Sequence, residues 1–266
     1  MKKKVAVIQM TSALDFSENL EKLNIFLKEA KAQKAEIAFL PECFYSMSNG
    51  SEPTPFQVHR DNEHYENIRS LAKKHEIYLI GGTAATSYKK GSINRTYNFD
   101  PAGKDLGHYD KIHLFSCDIK NSKGEHKKID EGDIYIPGSE PKMLEADGIK
   151  VGLGVCFDLR FAEMAAAYKK EGAQILTFSS AFTVPTGKAH WEVLLRARAI
   201  ENQCYVIASA QWGRNNEIIS TYGHSMVIDP WGKVLANAED GEKVICATID
   251  LSEIEKVEQS VIMGRN

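Results

Sequence analysis

The sequence predicts an α/β fold, a four-layer αββα sandwich that is internally duplicated. Three observations carry this: apolar runs alternate with helical patterns, the order of elements occurs twice, and one hairpin sequence is written twice. Strands that are apolar throughout need both faces covered, and two sheets packed face to face with helices outside provide that. With 266 residues, 43% hydrophobic and 26% charged, the chain can bury one large core, so a single domain over residues 1–266 is expected.

Taking the elements in order, Lys4 to Met10, with Val5, Val7 and Ile8, is a short apolar run of the buried-strand kind. Ser17 has the character of an N-cap, and Leu20, Leu23, Leu27 and Ala30 follow at helical spacing. Glu36 to Glu42 reads as a second buried strand, ended by Pro41. A long polar loop from Cys43 to Arg60 precedes a helix from Asp61 to Lys74, marked by Ile68, Leu71 and Ala72. Ile77 to Gly82 returns as a strand, and Thr96 to His108 reads as a hairpin turning on Asp100-Pro-Ala-Gly.

The second half repeats the plan. Strand Lys150 to Cys156 leads to a helix from Phe161 to Lys170, strand Gln174 to Ser179, helix Lys188 to Asn202, strand Cys204 to Ala210, and a hairpin around Asp229-Pro-Trp-Gly-Lys233. The two hairpins align residue by residue, Phe99-Asp-Pro-Ala-Gly-Lys-Asp-Leu against Ile228-Asp-Pro-Trp-Gly-Lys-Val-Leu. Asp-Pro-x-Gly is ordinary turn chemistry, but the matching order of the other elements favours duplication. The halves differ mainly between Asp110 and Pro141, and an unmatched loop is where function concentrates.

Charge and cysteine usage exclude several classes. Net charge is -3 and no basic tract occurs, so neither nucleic acid nor an anionic membrane is expected as a partner. Met1-Lys-Lys-Lys runs into a strand and not into a signal-peptide core, and no apolar run reaches membrane-spanning length, which predicts a cytoplasmic protein. Five cysteines (Cys43, Cys117, Cys156, Cys204, Cys246), odd in number and without CxxC spacing, argue against a disulfide framework and against zinc.

The chemistry gathers at strand ends. Cys156 closes a glycine-bearing apolar run just before a helical pattern, a tight strand-to-helix turn where backbone N–H groups can lower a thiol pKa and hold an oxyanion. A buried structural cysteine is the alternative, and position at a strand's carboxyl end argues against it. Glu42 ends the second strand and can project from the same edge as a base. Lys111 follows a hairpin strand and precedes Ile112-His-Leu, a setting that partly desolvates its ammonium; the alternative is a surface lysine. Thiol, carboxylate and fixed cation suit acyl transfer through a thioester. A Cys-His hydrolase using His113 or His190 ranks lower, because no Asn or Asp partner is placed by an analogous pattern.

Three segments, Phe39-Leu-Pro-Glu42, Tyr109-Asp-Lys111-Ile-His-Leu-Phe and Gly152-Leu-Gly-Val-Cys156-Phe-Asp-Leu-Arg160-Phe, resemble the nitrilase or carbon–nitrogen hydrolase superfamily. The resemblance covers nearly the whole chain and implies an αββα fold, Cys156 as nucleophile, Glu42 as general base and Lys111 as oxyanion stabiliser. It also implies a second glutamate, which Glu131, six residues before Pro137-Gly138, matches. The local Lys-Lys-Ile-Asp-Glu-Gly-Asp sequence departs from the usual pattern. Phe182 to Val206, with Gly223-His-Ser-Met-Val-Ile-Asp-Pro-Trp-Gly, is similar to the branch that hydrolyses deaminated glutathione, with ω-amidases as close relatives. What this implies is a small anionic α-keto acid amide as substrate, no cofactor, no metal, and a homodimer through helix and tail contacts near Cys156.

Substrate contacts are less sharply written. Arg160 either clamps a substrate carboxylate or pairs with Asp158 or Glu163 as scaffold. Phe157, beside the nucleophile, and Thr183 and Thr186, in a loop after strand Ile175 to Ser179, are the other candidates. Trp191, Leu194, Leu195, Ala199 and Ile200 read as core packing, and Arg196, Arg198 and Glu201 as helix ion pairs. The loops Cys43 to Arg60 and Asp118 to Pro137 are expected to shape the pocket. A binding protein that merely keeps the fold is disfavoured, since all three triad positions hold the required residues.

Overall fold

The computed structural model describes residues 1–89, 91–120 and 126–263. The first half gives β1 (Lys2–Gln9), α1 (Phe16–Ala32), β2 (Ile37–Phe39), α2 (Glu63–His75), β3 (Tyr78–Ile80), β4 (Thr83–Tyr88), β5 (Gly91–Thr96), β6 (Ser116–Lys120) and β7 (His126–Asp130). The second gives β8 (Met143–Ala146), β9 (Ile149–Val155), α3 (Ala162–Lys170), β10 (Ile175–Ser180), α4 (Val184–Asn202), β11 (Tyr205–Ala210), β12 (Trp212–Arg214), β13 (Ser220–Tyr222), β14 (Met226–Ile228), β15 (Val234–Asn237), β16 (Lys243–Asp250) and α5 (Ser252–Ser260).

Two main sheets result, ordered β16-β1-β2-β3 and β15-β14-β11-β10-β9-β8. Each contains three neighbouring parallel strands joined through helices, β1, β2, β3 in one and β9, β10, β11 in the other. The duplication extends to the hairpins. Phe99 pairs antiparallel with Leu79 as Ile228 pairs with Val206. Asp100 Oδ1 accepts from the Ala102 and Lys104 amides at 2.9 and 2.8 Å, and Asp229 Oδ1 from the Trp231 and Lys233 amides, both at 2.9 Å.

Burial explains why the strands lack alternation: Val5, Ala6, Val7 and Ile8 are all fully buried. Val5, Val7 and Phe39 face Val151, Leu153 and Ile207 between the sheets, while Ala6, Ile8 and Ala38 pack outward on Leu23 and Leu27 of α1 and Ile68 and Leu71 of α2. On the far side α3 lies close against β9 because Gly152 has no side chain; a Cβ there would stand 2.7 Å from the Tyr168 ring. Where strands end, buried serines bind stray carbonyls across the sandwich: Ser209 Oγ donates to Ile8 O at 2.5 Å and Ser179 Oγ to Gly81 O at 2.6 Å.

Several boundaries differ from expectation, each for a local reason. Asp15, not Ser17, caps α1, its carboxylate accepting from the Ser17 amide at 2.8 Å. Asn62 caps α2, which runs to His75. Helix α4 begins at Val184, not Lys188, since Pro185 in a first turn forfeits no helical bond. Thr183 is therefore its N-cap residue and Thr186 lies in its first turn, not in a loop. The β4–β5 hairpin was not anticipated. The stretch from Asp118 to Pro137, expected as a loop, contains most of the β6–β7 hairpin and a 3-10 turn; residues 121–125 fall outside the described residues. Ile200 is exposed instead of packed in the core. Among the described residues no helix is long and apolar enough to cross a membrane.

Trp191 is the largest fully buried side chain and its indole N–H donates to His224 O at 2.7 Å. Trp191→Ala is expected to lower unfolding free energy by about 3–5 kcal/mol, read as a lower urea midpoint, whereas Trp191→Phe should cost clearly less.

Candidate active site

The parallel strands of both sheets end at one edge, and four side chains meet there. β9 stops at Val155, and Cys156 takes φ 47°, a left-handed conformation that points its thiol away from the turn Cys156–Arg160. Strain of this kind persists only where surroundings hold it. Here Asp158, fully buried, does so: its carboxylate accepts from Val155 N (2.8 Å), Tyr109 Oη (2.8 Å) and His113 N (3.2 Å), and His113 Nδ1 lies 2.7 Å away.

From the other sheet, β2 leads through Pro41 to Glu42, whose carbonyl accepts from Gln211 Nε2 at 2.8 Å. Lys111 is fixed through its backbone, Lys111 N donating to Asn94 O at 2.9 Å and Gly138 N to Lys111 O at 2.8 Å. Gly138 must be glycine, because a Cβ would come within 2.1 Å of Asp110 O. Glu131 follows β7 and bonds the loop after Lys111 in both directions, Glu131 N to Phe115 O and Phe115 N to Glu131 Oε2, each at 2.8 Å.

Lys111 is only 1% exposed, and its ammonium donates to Glu42 Oε1 at 2.9 Å and to Glu131 Oε2 at 2.7 Å. Burial opposes that charge, but the two carboxylates outweigh it and hold the pKa well above the ordinary lysine value. Burial likewise lifts the Glu42 carboxyl above its usual range against the pull of Lys111, and Cys156 lines the same cavity. The thiol itself is raised well above its ordinary value, by burial first and then by the Glu42 charge, while Lys111 and the Ala181 amide act the other way. Two carboxylates and one ammonium leave the cluster one negative charge, so the resting cysteine is a neutral thiol beside a base of raised basicity.

These groups border a cavity of about 180 Å3, walled by Met47, Phe115, Ile134, Phe157, Phe182 and Ile219 among others. Arg160, Thr183 and Thr186 line it too. Arg160 pairs with neither Asp158 nor Glu163; its guanidinium stands over the Phe157 and Phe182 rings, 5.6 and 5.3 Å from their centroids, and donates to His190 Nδ1 at 3.3 and 3.4 Å. The hydroxyls of Thr183 and Thr186 are 2.9 Å apart. Of the two loops expected to shape the pocket, Cys43, Met47, Ser48 and Gly50 come from one and Asp130, Glu131, Ile134 and Tyr135 from the other. His113 is spent on Asp158 and stacks on Phe161, and His190 contacts Arg160, so neither offers a Cys-His pair. Arg198 and Glu201 do pair, at 2.7 Å. Among the described residues no three His, Cys, Asp or Glu are grouped as a metal site requires. Asn94 and the Tyr109–Asp158 support were not anticipated; both depend on long-range pairing that leaves no local pattern.

A thiol on a strained turn, sharing a cavity with a buried carboxylate and a buried ammonium, is the equipment of thiol-dependent acyl transfer. The chain belongs to the carbon–nitrogen hydrolase family, whose model matches residues 4–259. It is 35% identical over 264 residues to omega-amidase NIT2 of Homo sapiens, covering 98% of this chain and 94% of that protein. Similarity to the deaminated glutathione amidase of Rattus norvegicus is 39% over 264 residues, covering 96% and 79%. With the nitrilase and fragile histidine triad fusion protein NitFhit of Caenorhabditis elegans it shares 40% over 261 residues, 96% of this chain but 58% of that longer protein. The crystal structure of Saccharomyces cerevisiae Nit3, a member of branch 10 of the nitrilase superfamily, superposes with a TM-score of 0.85 at 30% identity, covering 100% of this chain and 96% of that one.

Removing the Asp158 carboxylate leaves the Val155 amide, the Tyr109 hydroxyl and the His113 amide buried without an acceptor. Asp158→Ala is therefore expected to lose roughly 3 kcal/mol or more of stability in urea titration.

Proposed function

We propose that the chain is an amidase that cleaves the C–N bond of a small anionic α-keto acid amide, deaminated glutathione first, through a Cys156 thioester. The observation that carries this reading is that Cys156 and Glu42 line one cavity with Lys111, whose buried ammonium donates to Glu42 Oε1 at 2.9 Å, and that Arg160 is on the wall. Glu42 takes the thiol proton as sulfur attacks the amide carbonyl. The developing oxyanion is met by the third N–H of Lys111, two of its donors being committed to Glu42 and Glu131, and by backbone N–H groups of the turn after Cys156. Protonated Glu42 returns the proton to the leaving amine. It then deprotonates the water that splits the thioester, releasing the acid and restoring the thiol.

Glu131 keeps Lys111 charged and in place. Phe157, Arg160, Thr183 and Thr186 are the substrate contacts, Arg160 supplying a planar fork for a carboxylate and the two hydroxyls donors beside it. Deaminated glutathione is placed first because the amidase named for it is the more similar of the two named amidases, at 39% against 35%. The compact cavity of about 180 Å3 favours a second reading, an ω-amidase acting on 2-oxoglutaramate, whose leaving group is ammonia.

The reading includes a cytoplasmic homodimer. Val193 and Ile200 on α4 and Trp231 in the β14–β15 turn form an exposed apolar strip, and Ile200 packs against Gly232 of that turn. Val193→Glu should convert a dimer to a monomer in sedimentation velocity; a wild-type chain that sediments as a monomer removes this part of the reading.

Steady-state hydrolysis of deaminated glutathione beside 2-oxoglutaramate, with Cys156→Ala as blank, tests the whole. A kcat/KM advantage of tenfold or more for the peptide substrate, abolished in the variant, is expected. Preference for 2-oxoglutaramate moves the assignment to the second reading, and turnover that survives Cys156→Ala overturns the thioester mechanism.

A further inference from the structure

Behind the cluster, away from the cavity, lies Asn94 of β5. Its Nδ2 donates to Glu42 Oε1 at 2.9 Å and reaches Glu131 Oε1 at 3.4 Å, while its main-chain carbonyl accepts from the Lys111 amide. Its Oδ1 is buried without a hydrogen-bond partner. Turning the amide end for end would set that oxygen against two carboxylates, so the orientation is fixed by charge.

We propose that Asn94 is a positioning residue for the base: by saturating Glu42 Oε1 together with Lys111, it reserves Oε2 for the Cys156 proton. The proposal rests on the assignment of Glu42 as the base. The groups facing Glu42 are Lys111, Glu131, Cys156, Cys43 and Tyr135. Of these Lys111 alone is cationic, and it cannot neutralise two carboxylates. Asn94 supplies the missing donor without adding charge. A hydrogen bond to the ionised form lowers an acid's pKa, so losing the donor raises it, and the acidic limb of the rate profile moves to higher pH.

The test compares wild type, Asn94→Leu, which keeps volume without a donor, and Asn94→Ser, which is smaller and keeps a hydroxyl. Two readouts are taken from pH 4 to 9: kcat/KM for 2-oxoglutaramate and deaminated glutathione, and the second-order rate of Cys156 alkylation by iodoacetamide. In Asn94→Leu the acidic limb of both is expected to rise by about one to two pH units with KM nearly unchanged, and Asn94→Ser to fall between. An acidic limb that stays in place while the plateau drops overturns the proposal, since lost packing alone would do that. Should wild type hydrolyse neither amide, the functional assignment fails by itself, and the alkylation profile still decides whether Asn94 sets the basicity felt by Cys156.

Discussion

Everything at this site depends on burying the Lys111 ammonium between Glu42 and Glu131. A cation only 1% exposed is tolerated because carboxylates stand 2.9 and 2.7 Å away, and those carboxylates are tolerated because the cation is there. Removing any one member strands the others in a low-dielectric interior. Burial first, with the neighbouring carboxylate charge second for the thiol, raises the Cys156 thiol and the Glu42 carboxyl above their ordinary values, against the pull of Lys111.

Electrostatics of this kind need a rigid frame, and the frame is backbone. Asn94 O, Lys111 N, Lys111 O and Gly138 N tie the lysine to two neighbouring segments, and Asp158 ties the turn at Cys156 to Tyr109 and His113. Tyr109 and Lys111 are two residues apart, so the segment that carries the cation also braces the turn that carries the thiol. A shift in one is felt by the other through a single short stretch of chain.

How legible this was in the sequence follows from what each part depends on. Buried strands such as Val5 to Ile8 announce themselves because both faces are dry, and Asp100-Pro-Ala-Gly and Asp229-Pro-Trp-Gly write their turns locally. Glu42, Lys111 and Cys156 were readable as strand-end residues, and Glu131 through family likeness. Asn94 was not, because β5, Gly-Ser-Ile-Asn-Arg-Thr, buries polar side chains and shows no apolar alternation. The start of α4 was misplaced because Pro185 and Gly187 look like loop residues, although Gly187 is there to admit Tyr222, whose Cβ a methyl group would meet at 2.3 Å. Arg160 found aromatic rings and a histidine instead of an acid, a choice set by tertiary neighbours alone.

The duplication described above gives the two halves near-identical scaffolds, yet it divides the reactive groups between them. Glu42 stands just past a strand of the first repeat, Cys156 just past a strand of the second, and Lys111 and Glu131 on the segment that joins them. Neither repeat by itself holds both Cys156 and Glu42. A partly opened molecule whose sheets have parted therefore separates Cys156 from Glu42. The thiol and the carboxylate come together only with the docking of the sheets.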